Sequence, residues 1–438
     1  ELRGGGTPRL PSAFVIDLRL LREDPEAVAT ALARRAVDRG RVDRLVALDQ
    51  QRRELVTEVD GLRAEQNARS RAIGKAAPED RQQLVAAAAE LKEPLRNAED
   101  ELATIDEALA DALAGIPNLP SPQAPDGGED DAVEVKRVGS PPDFAFEPRD
   151  HVELMEAGGA LDLERGAKVS GARFYFLRGE AALLEFALVR YALDVAQRHG
   201  HEPVVAPALV RREAMYGTGF LPTDEQQIFK IPEDDLYLVG TSEVALAGMH
   251  ADEILAELPV RFAGFSSCFR REAGSYGRDT RGIFRVHQFD KVELFSFVAP
   301  DSSAEEHERI LAIEEEIMGG LGLHYRVVDI AAGDLGASAT RKFDIEAWMP
   351  GQQAYREITS CSNTTDYQAR RLRVRRRLDS GETEFVHTLN GTAVAVARTI
   401  IAVVEQHQRA DGSVAVPHVL HPYLGRDVLF APKDDVPD

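Results

Sequence analysis

From Arg41 to Ile73 apolar residues fall at alternating spacings of three and four, at Leu45, Leu48, Leu55, Val59, Leu62 and Ile73, with Arg52, Gln66 and Arg69 as polar interruptions. That spacing keeps one stripe of a helix apolar and predicts a long helix with a coiled-coil seam. A break at Gly74 to Pro78 follows, and the pattern resumes at Leu84, Ala88, Leu91, Leu95, Ala98, Leu102, Ile105 and Leu109. Two long helices joined by a short turn must pack antiparallel. At 1.5 Å per residue each is roughly 50 Å long, which predicts a projecting arm over about residues 41–113. Pro94 removes one backbone hydrogen bond from the second helix and should kink it. Residues 1–14 carry no pattern and read as an extension with little structure of its own. The N-terminal domain is therefore expected at 15–115.

Residues 116–143, with PNLPSPQAPDGGEDD and SPPD, are rich in proline, glycine and acid and read as a linker. A second domain, 144–438, begins with a helix from about Glu180 to His199 and a strand ending near Pro207. Strand-like runs alternate with turns between Leu236 and Phe297 and between Tyr325 and Val396, interrupted by a helix at Ser303 to Met318. The fold class is α+β, an antiparallel helical arm followed by a mainly antiparallel sheet flanked by helices. Phe265 to Arg271 and Phe284 to Phe297 read as the two strands of a hairpin. Gly274, Gly277 and Gly282 mark its long tip, which also carries Arg278 and Arg281.

Composition narrows the chemistry. A chain of 438 residues is too long for one core. No apolar run reaches the ~18 residues of a membrane span, and no signal peptide pattern is visible, so a soluble cytoplasmic protein is expected. The two cysteines, Cys268 and Cys361, exclude a disulfide framework and a four-cysteine zinc site. A formal charge of −22 opposes nonspecific binding of nucleic acid. A nucleic-acid partner would need local basic patches, and Arg63, Arg69, Arg71 and Lys75 supply one near the turn of the arm. The run YQARRLRVRRR, Tyr367 to Arg377, is the densest positive stretch. Neither a P-loop nor a Gly-x-Gly-x-x-Gly turn is present, so a nucleotide would have to be held by another design.

Arg270 and Glu272, two apart on a predicted strand, should project from one face, beside the cationic hairpin tip. A guanidinium fork suits phosphate because it bonds two oxygens at once and keeps its charge. A solvated hairpin with surface arginines would look the same in isolation. Around it stand VGTSEVALAG (Val239 to Gly248), FRRE with HQFDKVE, EITSCSN (Glu357 to Asn363) and HTLNGTAVAVARTIIAVVEQ (His387 to Gln406).

Together, in this order and behind such an arm, these blocks resemble the bacterial type of seryl-tRNA synthetase, a class II aminoacyl-tRNA synthetase, from Ile16 to about Gly425. FRRE with HQFDKVE looks like motif 2 and GTAVAVART like motif 3. The resemblance implies ATP-dependent activation of L-serine and its transfer to tRNA(Ser), with tRNA(Sec) as a further acceptor. It also implies a homodimer formed through the motif 1-like segment at about 180–210. For serine it implies Thr241, Ser242, Glu243, Arg270, Glu293, Asn390 and Thr392, with Glu243 facing the ammonium. Glu293 and Thr392 would receive the hydroxyl. For ATP it implies Arg270, Arg271, Glu272, Val286, Phe289, Glu357, Ile358, Thr359, Ser360 and Arg398, with Phe289 and Arg398 on the two faces of adenine. Arg270, Glu272 and Arg398 would be the catalytic set. Magnesium would arrive with ATP at Glu357, and Cys361 lacks partners for zinc. The arm tip would grip tRNA. The Arg370 to Arg377 run stands just after the ATP segment, a position that suits contact with an acceptor stem, while a solvated basic face would look the same. A ligase that loads a small amino acid on a carrier protein and a non-catalytic tRNA-binding paralogue are the alternatives. The long arm speaks against the first, and the presence of Arg270, Glu272, Glu293 and Arg398 speaks against the second.

Overall fold

The computed structural model describes residues 16–274, 277, 279 and 281–431. The chain divides into two compact units, residues 1–119 and 120–438. The extension expected at 1–14 and the loop residue Arg278 lie outside the described residues.

Five helices build the first unit: α1 (Leu18–Glu23), α2 (Pro25–Ala33), α3 (Arg39–Lys75), α4 (Pro78–Glu90) and α5 (Lys92–Ala114). At 37 residues, α3 is about 55 Å long. Its apolar stripe meets the returning helices as the spacing predicts. Leu45, Leu55 and Val59 are buried with Leu91, Leu95, Ala98 and Leu109, whereas Leu62, Ile73 and Leu84 toward the turn are only half-buried. The seam is tight at the base and thins outward. Around Pro94 the helix is interrupted for one residue: α4 ends at Glu90 and α5 starts at Lys92, while Leu91 between them keeps right-handed helical angles. Proline lacks the N–H that would have bonded the Glu90 carbonyl four residues back. Near the base, the buried Asp49 carboxylate accepts from Arg22 Nη2 at 2.7 Å, and Arg52 Nε reaches Asp106 across the seam at 2.7 Å.

The second unit is organised on an eight-stranded sheet. Its strands are β1 (Val133–Val138), β2 (Glu202–Val205), β3 (Val260–Phe269), β4 (Gln288–Val298), β5 (Tyr325–Asp329), β6 (Arg341–Met349), β7 (Ala354–Thr365) and β8 (His387–Ala395). They lie in the order β1-β5-β6-β7-β8-β4-β3-β2. Every pairing is antiparallel except β2 on β3, which is parallel. The expected linker therefore needs correction: β1, inside 116–143, is an edge strand of this sheet. Proline and glycine mark the irregular stretch before it, while VEVKRV alternates enough to pair with β5.

The helices of this unit among the described residues are α6 (His151–Ala157), α7 (Leu163–Ser170), α8 (Glu180–Arg198), α9 (Arg212–Thr218), α10 (Glu243–Gly248), α11 (Ser303–Gly320), α12 (Tyr367–Leu372), α13 (Val396–Gln406) and the short α14 (His421–Leu424). Leu184 and Leu188 of α8, Ile310 and Ile317 of α11 and Ile400 and Val403 of α13 share one core with Leu294 and Val394 of the sheet. Helix α11 comes so close to β8 that a Cβ on Gly391 would lie 2.3 Å from Ile310 Cγ2, which only glycine avoids. Among the described residues no helix is long and apolar enough to cross a membrane.

Candidate active site

The hairpin expected from the sequence is β3 and β4, paired in antiparallel register with Phe289 opposite Cys268. Its strands stop earlier than expected. β3 ends at Phe269, so Arg270 and Glu272 are not brought together by strand alternation. Glu272 instead takes a left-handed conformation, φ +50°, which costs a non-glycine residue energy and recurs at functional positions. His287 Nδ1–H donates to the Arg270 carbonyl at 2.8 Å, and the Arg270 N–H returns to His287 O at 3.0 Å. The far end of the loop is pinned by His151. Its Nε2 accepts from Ile283 N at 3.2 Å, and its Nδ1–H donates to Glu405 of α13 at 2.9 Å. A side chain at Gly282 would collide with that ring.

A cavity of about 370 Å³ opens beside this hairpin, with a polar lining drawn from β4, β6, β7, β8, α13 and the loops around Thr218, Thr241 and Ser338. One end is acidic. Register sets Glu293 of β4 opposite Thr392 of β8, and Asn390 Nδ2 donates to Glu293 Oε1 at 3.0 Å. Lys291, two residues earlier on the same strand, forms an ion pair with the fully buried Glu293. Glu243, at the start of α10, is also buried. Burial, and then the nearby Glu293 carboxylate, push its pKa up to about 7, while a hydrogen bond from Gln368 opposes the rise. Thr241 Oγ1 accepts from Glu243 N at 3.2 Å. One carboxylate, two threonine hydroxyls, an amide and one ammonium thus line this end, with the Glu293 carboxylate buried behind them, and the space suits a small cationic and hydroxylated molecule.

The other end is cationic. Arg270, Arg285, Lys342 and Arg398 line it. Arg285 Nη1 donates to Glu272 Oε2 at 2.8 Å, and Arg398 Nη1 donates to the Glu357 carbonyl at 2.9 Å. Burial alone would raise the Glu357 pKa, but Lys342, Arg398 and Arg270 together hold it down to about 2. Phe289 lies 5.2 Å from the Arg270 guanidinium. Arg398 sits over Phe284, 4.6 Å from the ring centroid, leaving flat surfaces on which a base can stack. Beneath both ends, Glu314 of α11 accepts from Thr359 Oγ1 at 3.1 Å. Complete burial raises its pKa well above the usual carboxylate value, and the hydrogen bond from Thr359 opposes the rise.

Most of the sequence-predicted residues line this cavity: Thr241, Glu243, Arg270, Glu272, Val286, Phe289, Glu357, Ile358, Thr359, Ser360, Asn390, Thr392 and Arg398. Three do not. Glu293 is fully buried behind the lining, held by Lys291 and Asn390. Ser242 donates its hydroxyl to Gly264 O at 2.9 Å and is buried away from the cavity, because the turn into α10 points it back at β3. Arg271 is exposed and lies 5.5 Å from the Phe229 ring, since the chain has left the strand by that point. The Arg370 to Arg377 run is not an open basic face. Arg370 pairs with Asp366 at 2.6 Å, Arg373 with Asp252 and Arg376 with Glu384. Arg371 is buried on Tyr216 O and the Tyr367 hydroxyl. Near the arm turn, Arg63 is paired with Glu99 at 2.8 Å and Arg69 with Glu65 at 2.5 Å, while Arg71 and Lys75 are exposed. Sequence reading missed Lys291, Arg285, Phe284, Lys342, Gln368 and Glu314. Lys291 stands inside HQFDKVE, and its spacing of two from Glu293 was the available signal. The other five become site residues only through long-range contacts.

Comparison with known proteins follows this geometry. Residues 15–120 match the seryl-tRNA synthetase N-terminal domain, and residues 228–407 match the tRNA synthetase class II core domain (G, H, P, S and T). The chain is 54% identical over 420 residues to a serine--tRNA ligase of Nocardia farcinica, covering 95% of this chain and 100% of that protein. It is 54% identical over 417 residues to one of Acidothermus cellulolyticus, covering 95% and 99%. Among solved structures it is similar to seryl-tRNA synthetase from Pyrococcus horikoshii complexed with ATP, with a TM-score of 0.90 and 40% identity over 94% of this chain and 99% of that one. It is also similar to the cytoplasmic serine-tRNA ligase of Naegleria fowleri in complex with AMP, with a TM-score of 0.86 and 32% identity over 94% and 98%.

Proposed function

The chain belongs to the seryl-tRNA synthetase family, and from that premise we propose that it activates L-serine with ATP and transfers the seryl group to the 3′ end of tRNA(Ser). The observation that carries the reading is the polarity of one cavity: Glu243 and Thr392 at one end, backed by the buried Glu293 opposite Thr392, and Arg270, Arg285, Lys342 and Arg398 at the other. An amino acid bound with its ammonium on Glu243 and its hydroxyl between Glu293 and Thr392 directs its carboxylate toward the arginines. There the carboxylate oxygen attacks the α-phosphorus of ATP and pyrophosphate leaves.

No protein nucleophile is needed, so the residues act by placing charge. Arg270 stabilises the charge that develops between carboxylate and α-phosphate. Phe289 and Arg398 take the two faces of adenine, and Glu272 recognises its edge. Glu357, ionised among three cations and open to the cavity, fits a magnesium ion that arrives on ATP phosphates, since such ions take one or two carboxylates and keep phosphate and water for the rest. When bound, that ion would neutralise phosphate charge. The Glu293 pocket hydrogen-bonds a hydroxyl, so alanine would leave buried polar groups unpaired and be rejected.

The arm serves tRNA, with Arg71 and Lys75 the cations at its turn that are exposed. A homodimer forms through α8 and β2. There Leu183 and Phe186 are exposed beside the edge strand, and Val205 is 83% exposed, an apolar face of the kind that marks an interface. Serine-dependent ATP–pyrophosphate exchange, with alanine as control, followed by charging of tRNA(Ser), tests the reading. Exchange that alanine stimulates as well as serine would overturn it.

A further inference from the structure

Gln368 is the second residue of α12 and has no exposed surface. Its Nε2 donates to Glu243 Oε1 at 2.7 Å and to Thr218 O at 3.3 Å. Its Oε1 accepts from Thr388 Oγ1 at 2.9 Å, and Thr388 Oγ1 in turn lies 2.5 Å from Thr364 Oγ1. The amide cannot be turned over. A flipped side chain would set its oxygen against the Thr218 carbonyl, which can only accept, and against the ionised form of Glu243 that the substrate requires. The NH2 group is therefore locked onto Glu243 by a hydrogen-bonded column running from β7 through β8 to α12.

We propose that Gln368 is a positioning residue for amino-acid recognition, its amide holding one oxygen of Glu243 so that the other is presented to the substrate ammonium. The proposal rests on the reading that Glu243 receives that ammonium. Glutamine is suited to the task where a charged residue is not. Lysine or arginine would neutralise Glu243 and repel the incoming cation, and glutamate would set two buried carboxyls face to face. A neutral donor fixes the carboxylate and leaves its charge for the ligand. It also opposes the effect of burial, which raises the Glu243 pKa to about 7.

The test is kinetic. Gln368→Met keeps the volume and removes the hydrogen bonds, and loss of a bond to a charged group should raise the KM for serine about 10- to 100-fold. The KM for ATP should stay within threefold. The pH profile should move as well. Glu243 must be ionised to bind an ammonium, so the native KM for serine falls as pH rises from 6 to 8. In the variant the bond that opposed the raised pKa is gone, and the fall shifts to higher pH. Thr388→Val, which removes only the anchor of the amide, should shift both quantities in the same direction by less, and it serves if the methionine variant does not fold. A serine KM within threefold of native with an unmoved pH profile, or equal losses for serine and ATP, overturns the proposal. Glu243→Gln separates the two ideas. If it leaves the serine KM unchanged, the ammonium assignment itself fails. If it raises the KM while Gln368→Met does not, only the role of Gln368 fails.

Discussion

Replacing Lys291 with methionine removes the one cation in contact with the buried Glu293 carboxylate and leaves the stem of the side chain in place. Two unit charges ~4 Å apart attract by about 4 kcal/mol at an effective dielectric near 20. Deleting one partner of a buried pair typically costs about 3 to 5 kcal/mol, because the other is left uncompensated. Here the cost falls at the upper part of that range, since Glu243 carries a second acid in the same pocket. Unfolding entropy of about 2 cal/mol/K per residue over a unit of roughly 320 residues turns this into a fall in Tm of about 4 to 7 °C. Calorimetry of the native enzyme, Lys291→Met, Glu293→Gln and the double variant measures it. The double variant should recover most of the lost Tm, with a coupling of about 2 kcal/mol or more, yet remain poor at serine activation because Glu293 is also needed by the substrate. A single variant within 1 °C of native, or a double variant no more stable than Lys291→Met, would refute the claim that the pair is electrostatically coupled.

Arg270→Ala should cut serine-dependent pyrophosphate exchange by about 10² or more, the usual consequence of losing a preplaced donor to developing negative charge; exchange within threefold of native would remove Arg270 from the chemistry. Glu314, a buried acid with a raised pKa, binds a proton in the folded state that the unfolded chain has released above about pH 4.5, so native stability drops as pH climbs past that point. Glu314→Gln keeps the shape and cannot ionise, so its Tm relative to native should improve as pH rises above about 4.5, and parallel curves would count against a raised Glu314 pKa. Deleting residues 41–113 across a short Gly-Ser bridge should leave pyrophosphate exchange within about tenfold and abolish charging of tRNA, whereas normal charging by the shortened protein would dismiss the arm from tRNA binding. Within the intact arm, charge reversal at Arg71 and Lys75 should weaken charging more than reversal at Arg63 and Arg69, which already hold Glu99 and Glu65; the opposite ranking would show that the paired arginines are released on binding.

What the sequence revealed was whatever had a local period or a contiguous motif. The arm follows from a repeat of three and four that is visible without any partner, and its interruption near Pro94 follows from one missing N–H. Glu357 to Ser360 and Asn390 to Thr392 were named from the contiguous motifs they stand in, and each group lies on one strand and contributes to the cavity lining. Residues whose role depends on what crosses the sheet were not legible. Glu314 belongs to α11 and becomes part of the site floor only because Gly391 lets that helix approach β8. Gln368 was hidden inside a run of arginines that suggests RNA, and most of those arginines turn out to hold acids or carbonyls of their own fold. Local charge density counts cations without counting their partners. Strand ends were the other weakness. β3 stops at Phe269, and Glu272 reaches the cavity from a left-handed turn that alternation does not anticipate.

The same bookkeeping of partners explains how a chain of net charge −22 can hold a triphosphate. Arg270, Arg285, Lys342 and Arg398 converge on one end of a single cavity, and Glu272, Asp344 and Glu357 hold Arg285, Lys342 and Arg398 in place, so a phosphate there meets cations already fixed in a low-dielectric cleft, where local charges direct the field. At the opposite end acids prevail. Glu243 and Glu293 have one ammonium, Lys291, between them, and it contacts Glu293, which leaves Glu243 with a neutral amide and a pKa raised by burial. The pocket therefore presents a buried acid held by a neutral amide at one end and fixed cations at the other. A zwitterion whose ammonium and carboxylate lie on one carbon matches both ends in a single orientation, with its carboxylate toward the phosphate side. Binding and orientation for attack are thus the same event, and an amine lacking the carboxylate, or an acid lacking the ammonium, would match one end only and gain no fixed direction.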